Sequence, residues 1–439
     1  MLLFALSLAG CTHHDVPDAV RFVRDVHPDP YRYTSAAALD AATARAGDPA
    51  DPRARAEALQ RVLATLGDAH LVVGLHGHPD VRLPPLLPLR VGDRVLVDAS
   101  APPLPLGTEI VSIEGRDARG LLDDLAALAS VDGAREDVRL RQAERRFGFL
   151  LHLAMGSRDT WTVVLRAPDG VETTVTLDGA PAAELASLER WSAPRWGSVG
   201  QRFPTTDVLA DGTVILHLPT FGVPDTDAYA GAVDAVFATL DRDARLVLDL
   251  RGNEGGIRTN GVAVLRHLLD APFAQWRRVE TRVVAIPRRD RRAVSFPFAP
   301  EDALTGFPGE REGDRWVLSG DPLAELMVPT GDPHRGELFV FVDDAVSSAA
   351  VELLAALLAY RSGVTVIGTD TMGECGRHAG QVPVVYGAGG ASVLVSLFEI
   401  TLVEIPGCRP GEGVPIDLTV ATTEEVFFER RDPYLDALP

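Results

Sequence analysis

The sequence contains no lysine. Its 42 basic residues are therefore all arginines. Chemistry that needs a primary side-chain amine is excluded, including a phosphate-binding-loop lysine, a Schiff-base lysine and a serine–lysine dyad. Cysteine is also scarce, with 3 in 439 residues. The sequence has no CxxC pair, no HExxH motif and no carboxylate cluster at metal-ligand spacing, so we predict no metal and no cofactor.

The balance of charge is strongly acidic. Asp and Glu number 62 against 42 basic residues, which gives a net charge of -20. Such a chain repels phosphate backbones, and nucleic acid is therefore an unsuitable partner. Hydrophobic residues make up 46% of the chain, as in folded proteins, and the length predicts two or three domains.

The N-terminus is a short apolar run that closes on a cysteine. Residues 1–9 are almost entirely apolar, are too short to span a bilayer as a helix, and lead into Gly10-Cys11. This pattern resembles a bacterial lipoprotein signal, in which the cysteine is lipidated and becomes the mature N-terminus. We expect residues 1–11 to be such a signal. The protein would then be exported, periplasmic or at the cell surface, and anchored to the membrane through lipid on Cys11. The alternative is an apolar N-terminus with a buried cysteine.

Two cysteines remain, Cys375 and Cys408. In an exported protein they could form a disulfide, which typically stabilises a fold by about 2–4 kcal/mol. Spacing in the sequence does not establish a bridge. Two free buried thiols are therefore the alternative.

Residues 12–79 predict a helical module. Apolar residues recur at helical spacing from residue 16 onward, and the first helix ends at His27, which precedes a proline. Ser35 is placed to cap a second helix. A third helix is predicted over residues 52–66, with Gly67 at its C-terminal end.

Residues 80–195 predict a segment that mixes strands and helices. Its clearest strand is the alternating stretch 107–115, which closes on a glycine turn. Other elements are predicted as helices over 119–128 and 136–155 and strands near 161–165 and 171–177.

Residues 196–439 alternate between apolar strands and helices. Continuous Val, Ile and Leu strands separated by helices predict a largely parallel α/β core that is covered on both faces. The strands are expected at 214–218, 246–250, 338–342 and 364–367, and the helices at 228–240, 257–269 and 348–360.

Three loops combine residues that can carry chemistry. His70 follows a helix stop and precedes a strand. The Gly255-Gly256 turn ends a buried strand, where glycines let backbone N–H groups approach a ligand. Ser347-Ser348 lies where a strand passes into a helix, so that the next backbone N–H is free to donate to an oxyanion. Each loop has a simpler explanation: a structural histidine, an ordinary turn and a helix N-cap.

These loops belong to motifs that resemble the C-terminal-processing (tail-specific) serine protease family, in its branch related to the tricorn protease core and interphotoreceptor retinoid-binding protein. The most specific match is Asp249-Leu250-Arg251-Gly252-Asn253-Glu254-Gly255-Gly256, which is similar to the family's D-L-R-x-N-x-G-G strand and turn. Ser348-Ala349-Ala350 falls where the family has its nucleophile. Other similar segments cover most of the chain, at residues 27–35, 66–70, 105–115, 367–373 and 413–417.

The resemblance implies an α/β fold. Its core, over residues 196–439, would be the spiral fold shared with ClpP and crotonase, joined to the N-terminal helical module and a small PDZ-like segment that contains β-strands. Ser348 would be the nucleophile. The oxyanion hole would come from the N–H groups of Ala349 and of Gly255 or Gly256.

The same resemblance bears on the base. The processing branch of the family uses a lysine, but the equivalent position here is Glu374 and the chain has no lysine. The tricorn-like branch uses serine, histidine and glutamate, and His70 fits its base. Glu374 is the first candidate for the carboxylate that orients His70, with Glu404 and Glu412 behind it. Asp68 is set aside as too close to His70 in sequence.

Two positions depart from the family pattern. Glu254 replaces a glycine and brings a carboxylate near the proposed oxyanion hole. Val351 stands where the family has a glutamate three residues after the nucleophile, and Glu352 follows it.

The implied function is an exported serine endopeptidase that cleaves peptides or protein tails through an acyl-enzyme. Its partner would be a peptide or unfolded protein. One alternative is a catalytically inactive relative that binds peptides or small apolar ligands. Another is a crotonase-type acyl-CoA enzyme, which the export signal disfavours.

Overall fold

The structure is a computed structural model. It describes residues 15–76, 80–193, 201–296, 308–319 and 326–439. The expected signal over residues 1–11, including Cys11, lies outside these residues. Within the described ranges, no helix combines the length and the apolar character needed to cross a membrane.

Three helices form the N-terminal module. Each begins at a side chain that accepts a hydrogen bond from the backbone N–H three residues later, and the caps are Asp15, Ser35 and Asp51. The third helix passes into a short 3-10 turn that ends at Gly67 in the left-handed conformation. The bounds are α1 (Val16–Val26), α2 (Ala36–Ala46), α3 (Pro52–Leu63) and the 3-10 turn (Ala64–Leu66).

The middle of the chain is built on a small antiparallel sheet. In chain order, the elements between the N-terminal module and the core are β1 (Val72–Leu75), β2 (Arg82–Leu83), β3 (Leu86–Val91), β4 (Arg94–Ser100), β5 (Glu109–Ile113), β6 (Arg116–Asp117), α4 (Ala118–Ala126), α5 (Glu136–Arg145), α6 (Phe147–Met155), β7 (Thr160–Arg166), β8 (Glu172–Asp178), β9 (Ala180–Pro181) and α7 (Ala182–Ala186). The strands of the small sheet follow the order β3-β4-β5-β7-β8, with β6 paired to β5. This is the PDZ-like segment that the resemblance implies.

The single helix predicted over residues 136–155 is two helices. The break falls at Arg146, which leaves the helical conformation with φ -101° and ψ 23°. Its side chain reaches Glu254 in the core. The helix is interrupted at a residue with a partner elsewhere in the fold, which a local pattern does not reveal.

The last segment forms the core. Its elements up to the central strand are β10 (Thr205–Val208), β11 (Val214–His217), α8 (Thr226–Thr239), β12 (Leu246–Asp249), α9 (Arg258–Leu268), β13 (Trp276–Thr281), β14 (Val294–Ser295), β15 (Gly309–Glu312), β16 (Arg315–Leu318) and β17 (Leu338–Val342). They are followed by α10 (Ala349–Tyr360), β18 (Val364–Gly368), β19 (Arg377–Ala388), β20 (Ala391–Leu402), β21 (Leu418–Thr419), α11 (Glu424–Glu429) and α12 (Pro433–Asp436).

A mostly parallel sheet lies at the centre of the core. Its order is β10-β11-β12-β17-β18-β21, and only β10 runs antiparallel to its neighbour. Strands β12 and β17 are buried at every position, as expected where both faces are covered. Helix α10 is likewise buried from Ala349 to Leu357. The predicted parallel α/β core is confirmed.

A long hairpin of β19 and β20 is absent from the sequence prediction. Most positions of β20 are buried, so apolar and polar residues do not alternate along it and no two-residue period is visible. The hairpin has a clear role in placing the N-terminal module. Strand β1 pairs with β20, with Val72 opposite Leu394, and this pairing brings the loop before β1 to the core.

Candidate active site

Ser348 lies in the turn between β17 and α10. Its backbone has φ 52° and ψ -128°, a left-handed conformation that costs a residue other than glycine about 1–3 kcal/mol. A serine held in such a turn between a strand and a helix presents its hydroxyl outward, as in the nucleophile elbow of other hydrolases. Ser348 makes no side-chain hydrogen bond that caps α10. Capping therefore does not explain this serine.

The neighbouring serine is already engaged. Ser347 is 3% exposed, and its Oγ donates to the Glu254 carbonyl at 3.1 Å. Ser348 is more exposed, and within the described part of the chain its Oγ has no hydrogen-bond partner. Of the two, Ser348 has the hydroxyl that is available for reaction.

The glycine turn packs directly against Ser348. A Cβ on Gly255 would lie 2.8 Å from Ala349 N and 2.8 Å from Ser348 Cβ, so only glycine allows this approach. The Gly255 N–H is occupied, because it donates to Asn253 Oδ1 at 2.8 Å. The N–H groups of Gly256 and Ala349 have no acceptor among the described residues. They are the two donors that remain for an oxyanion.

Acidic and basic side chains hold these two loops together. Asp343, at the end of β17, accepts hydrogen bonds from the backbone N–H groups of Gly252 and Ala345, all at 3.0 Å. Arg145 contacts the same carboxylate at 2.6 Å. The turn after β12 is thereby fixed to the turn after β17.

Glu254 does not leave an unbalanced charge beside the oxyanion donors. Arg146 contacts its carboxylate at 3.0 Å. Burial raises the pKa of Glu254, but the charges of Arg146 and Arg145 outweigh that effect, and the pKa lies below its ordinary value. The departure from the family pattern at Glu254 therefore comes with its own counter-ion.

His70 lies in the loop that starts at Gly67 and leads into β1. A Cβ on Gly67 would be 2.8 Å from the Tyr33 side chain and 2.9 Å from the Gly133 carbonyl, so glycine is required where the loop turns. His70 Nδ1 is 3.6 Å from Asp68 Oδ1, just beyond hydrogen-bond distance, and neither ring nitrogen has a hydrogen-bond partner among the described residues. A carboxylate close to Nδ1 and an open Nε2 suit a histidine that takes a proton from serine once the contacts tighten around substrate.

Asp68 is the buried centre of the histidine loop. The backbone N–H of Asp29 donates to His27 Nδ1 at 3.1 Å, so that His27 donates from Nε2 to Asp68 at 2.6 Å. The backbone N–H of His70 donates to Asp68 at 2.6 Å. Burial raises the pKa of Asp68, but the hydrogen bonds and charges of His27 and His70 lower it further, to below its ordinary value. Asp68 is ionised at neutral pH.

Glu374, the first predicted partner of His70, has other partners. Its buried carboxylate accepts a hydrogen bond from the Tyr33 hydroxyl and lies 3.6 Å from Arg32 Nη1. No ion pair joins it to His70. The structure therefore puts Asp68, not Glu374, beside the ring. The sequence argument sets Asp68 aside for its nearness in the chain, but the tight turn brings its carboxylate back to the histidine.

The two other predicted carboxylates are also away from the ring. The Glu404 side chain is 86% exposed and pairs with Arg277 at 3.3 Å. The Glu412 side chain is 55% exposed and pairs with Arg409 at 3.7 Å. Both belong to the surface.

Asp132 brings the loops together. Its Oδ1 accepts from Ala69 N at 2.8 Å and its Oδ2 from Glu374 N at 3.1 Å. Gly373 in turn packs on the serine loop, since a Cβ there would lie 3.0 Å from Ser347 Cα. The loops of the candidate base and nucleophile therefore converge, although no hydrogen bond joins the two side chains in this structure.

Asp68, His70 and Asp132 also have the spacing of a metal site. One ligand atom from each lies within 4.8 Å of the others. However, both oxygens of each carboxylate already accept hydrogen bonds from backbone N–H groups or from His27. The cluster is explained by the support of His70, and we assign no metal to it.

Cys375 and Cys408 form a disulfide, with their Cα atoms 5.8 Å apart. The bridge holds the residue after Glu374 to the segment that precedes β21. It joins two loops at the edge of the site.

One functional neighbour has no signal in the sequence. His378, on β19, is hydrogen-bonded to Glu352 at 3.0 Å, and its ring stacks on His70 at 5.2 Å between centroids. Glu352 is noticeable only as an acidic residue in an otherwise apolar helix. The contact depends on how β19 packs against α10, which local patterns do not encode.

Comparison with known protein families gives one match. Residues 212–389 match the model of peptidase family S41. This segment contains both the glycine turn and Ser348, whereas His70 lies before it. None of the curated proteins matches the sequence.

Solved structures match over nearly the whole chain. Mature CPAF is 14% identical with a TM-score of 0.62, and the match covers 96% of this chain and 95% of CPAF. Mature CPAF complexed with lactacystin is 14% identical with a TM-score of 0.61, covering 96% of each chain. At this identity the likeness concerns the fold, and the expected fold class is confirmed.

The family match and the fold agree with the resemblance to tail-specific serine proteases. Such a family implies peptide or protein substrates. Residues 212–389 therefore match peptidase family S41, and this match together with the fold supports a serine-type peptidase.

Proposed function

We propose that this peptidase is an exported endopeptidase that cleaves peptides or protein tails through an acyl-enzyme on Ser348, with His70 as its base. The observation that carries the proposal is the backbone of Ser348. A positive φ in a residue other than glycine, with the hydroxyl unengaged and a glycine turn packed against it, is strain without a structural use. It is the arrangement a nucleophile needs.

In the first half of the reaction, Ser348 Oγ attacks the carbonyl carbon of the scissile peptide bond. His70 Nε2 takes the hydroxyl proton, and the new oxyanion accepts hydrogen bonds from the N–H groups of Gly256 and Ala349. The carbon–nitrogen bond then breaks. The proton on His70 passes to the leaving amine, and the acyl-enzyme remains.

In the second half, water attacks the acyl carbon. His70 removes a proton from that water and returns it to Ser348 Oγ as the ester bond breaks. Asp68 acts throughout by keeping Nδ1 of His70 protonated and Nε2 open, and by stabilising the imidazolium that forms twice in the cycle. The serine–histidine–carboxylate set is therefore Ser348, His70 and Asp68, where the sequence favours Glu374.

Export and anchoring belong to the same proposal. The apolar run that closes on Cys11 supports a lipid anchor. The Cys375–Cys408 disulfide supports an oxidising compartment, where such bonds persist. In a bacterial host, the full chain should be found with membranes and should carry lipid on Cys11 by mass spectrometry. A Cys11→Ser variant should be soluble, and an unmodified, membrane-free wild type would overturn the anchor.

A second candidate function is peptide or ligand binding without catalysis. It is favoured by the lack of a hydrogen bond between Ser348 and His70. Catalytic contacts are often loose before substrate binds, so the two candidates are best separated by reactivity.

A fluorophosphonate probe separates them, because it reacts only with an activated serine. We expect the wild type to be labelled and Ser348→Ala to be unlabelled. In His70→Ala the rate of labelling should fall by roughly 100-fold or more. Ser347→Ala is the matched control and should keep most of the labelling.

Three other results would change the proposal. Labelling that persists in Ser348→Ala would move the nucleophile to Ser347. Full reactivity in His70→Ala would remove the base. No labelling of a folded wild type, judged by its thermal melting, would favour the binding protein.

A further inference from the structure

His378 is a buried histidine with an oxygen at each ring nitrogen. The residue is 3% exposed. Its Nε2 is 3.0 Å from Glu352 Oε1, and its Nδ1 is 3.2 Å from the Ala379 carbonyl oxygen. Neither oxygen can donate a proton when Glu352 is ionised. Both nitrogens must then carry hydrogens, and the ring is an imidazolium.

The surrounding charges agree with this assignment. Burial lowers the pKa of His378, but the hydrogen bond and charge of Glu352, together with the charge of Asp132, raise it further. The pKa therefore lies above its ordinary value. Since neither nitrogen has a free lone pair, His378 cannot take a proton from serine and is not itself the base.

Glu352 connects His378 to the nucleophile. It lies in the first turn of α10, and its backbone N–H donates to the Ser348 carbonyl at 3.0 Å. Its side chain is buried between two cations, with His378 at one oxygen and Arg258 Nε 3.8 Å from the other. The position of His378 is therefore set relative to the helix turn that begins at Ser348.

His378 also stacks on the ring of His70. The rings of His70 and His378 are nearly parallel, with an interplanar angle of 19° and centroids 5.2 Å apart. Asp68 on its own loop and Asp132 on the loop between α4 and α5 also lie close to His70. Asp68 lies beside Nδ1 of the ring, whereas the His378 ring stacks on its face. The cavity that Asp68, Asp132 and His378 line is further bordered by His27, Arg32, Glu374, Arg377 and Glu399.

We propose that His378 is a positioning residue of the peptidase: held by Glu352, it fixes the plane of His70 relative to Ser348. This role depends on the presence of a ring at position 378. The inference rests on the proposed function of His70.

Two double variants test this role. His378→Phe with Glu352→Gln keeps a ring to stack on His70 and removes both charges of the His378–Glu352 pair, so that neither partner is left charged without the other. Arg258 loses the Glu352 carboxylate at 3.8 Å but keeps its hydrogen bond to Gln275 at 2.7 Å. His378→Ala with Glu352→Gln removes the ring as well. The measurement is the rate of fluorophosphonate labelling from pH 4 to 9.

At the alkaline plateau the phenylalanine variant should remain within about threefold of wild type. The alanine variant should fall by about tenfold or more, because His70 is no longer held in its plane. A general disturbance of the fold would lower the rates of both variants alike, whereas rescue by the phenylalanine ring is specific to positioning.

His267→Phe is a matched control. His267 also stacks on an aromatic ring, Phe237, at 4.5 Å between centroids, and it pairs with Asp234 at 2.7 Å. None of these contacts involves the three catalytic loops. The control should leave the rate profile unchanged, and melting temperatures should show that every variant is folded.

The proposal is overturned if the alanine variant keeps the wild-type plateau rate, or if the phenylalanine variant loses as much rate as the alanine variant. If the wild type is not labelled at all, the proposed function fails instead. Nitrogen-15 NMR of the histidine rings then decides the charge on His378. Two protonated ring nitrogens at pH 8 would support the imidazolium, and a neutral tautomer would overturn it.

Discussion

Ser348 is positioned by main-chain packing, whereas His70 is positioned by a charged side chain. Ser348 lies in a strained turn against Gly255, with the backbone of Ala349 beside it, and the charged Asp343–Arg145 pair serves to fix this turn to the turn after β12. His70 depends on Asp68, and Asp68 is itself held by His27. The two halves of the site, the serine loop and the histidine loop, should therefore fail in different ways. The serine half should be most sensitive to added atoms at Gly255, and the histidine half to lost charge at Asp68.

The largest effect should come from Gly255→Ala. The new Cβ would lie 2.8 Å from Ala349 N, and Gly255 has a φ of 86°, so both sterics and strain oppose it. We expect fluorophosphonate labelling to fall by roughly 1,000-fold, as when an oxyanion site is lost. Gly231→Ala is the control, since a Cβ there meets nothing within 4 Å, and it should label normally. Wild-type labelling in Gly255→Ala would contradict the packing argument.

Asp68→Asn tests the histidine half. It keeps the shape of the side chain but removes the charge that orients His70 and accepts from His27. Labelling should fall by about 100-fold. Glu374→Gln, which changes the residue that the sequence favours, should cost less than about tenfold, because Glu374 contacts Tyr33 and Arg32 instead. The reverse order of the two variants would restore Glu374 as the orienting residue.

Arg146→Gln asks whether charge beside the oxyanion donors matters. The substitution removes the guanidinium that contacts Glu254 at 3.0 Å. A carboxylate near the oxyanion donors opposes the developing negative charge, and labelling should fall by about three- to tenfold. Arg146→Gln combined with Glu254→Gln should recover most of the rate. No recovery in the double variant would mean that Arg146 acts through structure alone.

The smallest effect concerns the stability of the histidine half with pH. Asp68 has a folded-state pKa below its ordinary value, so its contribution is present above about pH 4 and is lost as the pH falls below that value. Asp68→Asn should lower the free energy of unfolding by about 1–3 kcal/mol at pH 7. Urea unfolding of both proteins at several pH values measures this difference. It should shrink below pH 4, and a constant difference down to pH 2 would contradict the assignment.

The serine half could be predicted from the sequence because its signals are local. Each signal occupies a few residues: one apolar strand is soon followed by the glycine pair, and another is soon followed by the serine at the start of α10. The predicted strand over residues 338–342 matches β17, and Ser348 falls in the turn before α10. The strands and the turns that position Ser348 can therefore be recognised from short stretches of sequence.

The histidine half could be predicted only in part. His70 is indicated by its motif, but its partners are set by the folded chain. Asp68 reaches the ring by a turn within three residues, and His378 reaches it from more than 300 residues away. Neither contact produces a spacing or a period. The sequence therefore favours Glu374 as the carboxylate and gives no signal for His378.

The pairing of β1 with β20 also sets an order of events. Val72, two residues after His70, lies opposite Leu394, and so the histidine loop cannot take its place before β20 has been synthesised. Contacts over such a separation form late in folding. A chain still emerging from the ribosome, or one cut short before β20, would contain the proposed nucleophile Ser348 without the proposed base His70 in place. On the proposed mechanism, such a chain would stay inactive until β20 is added.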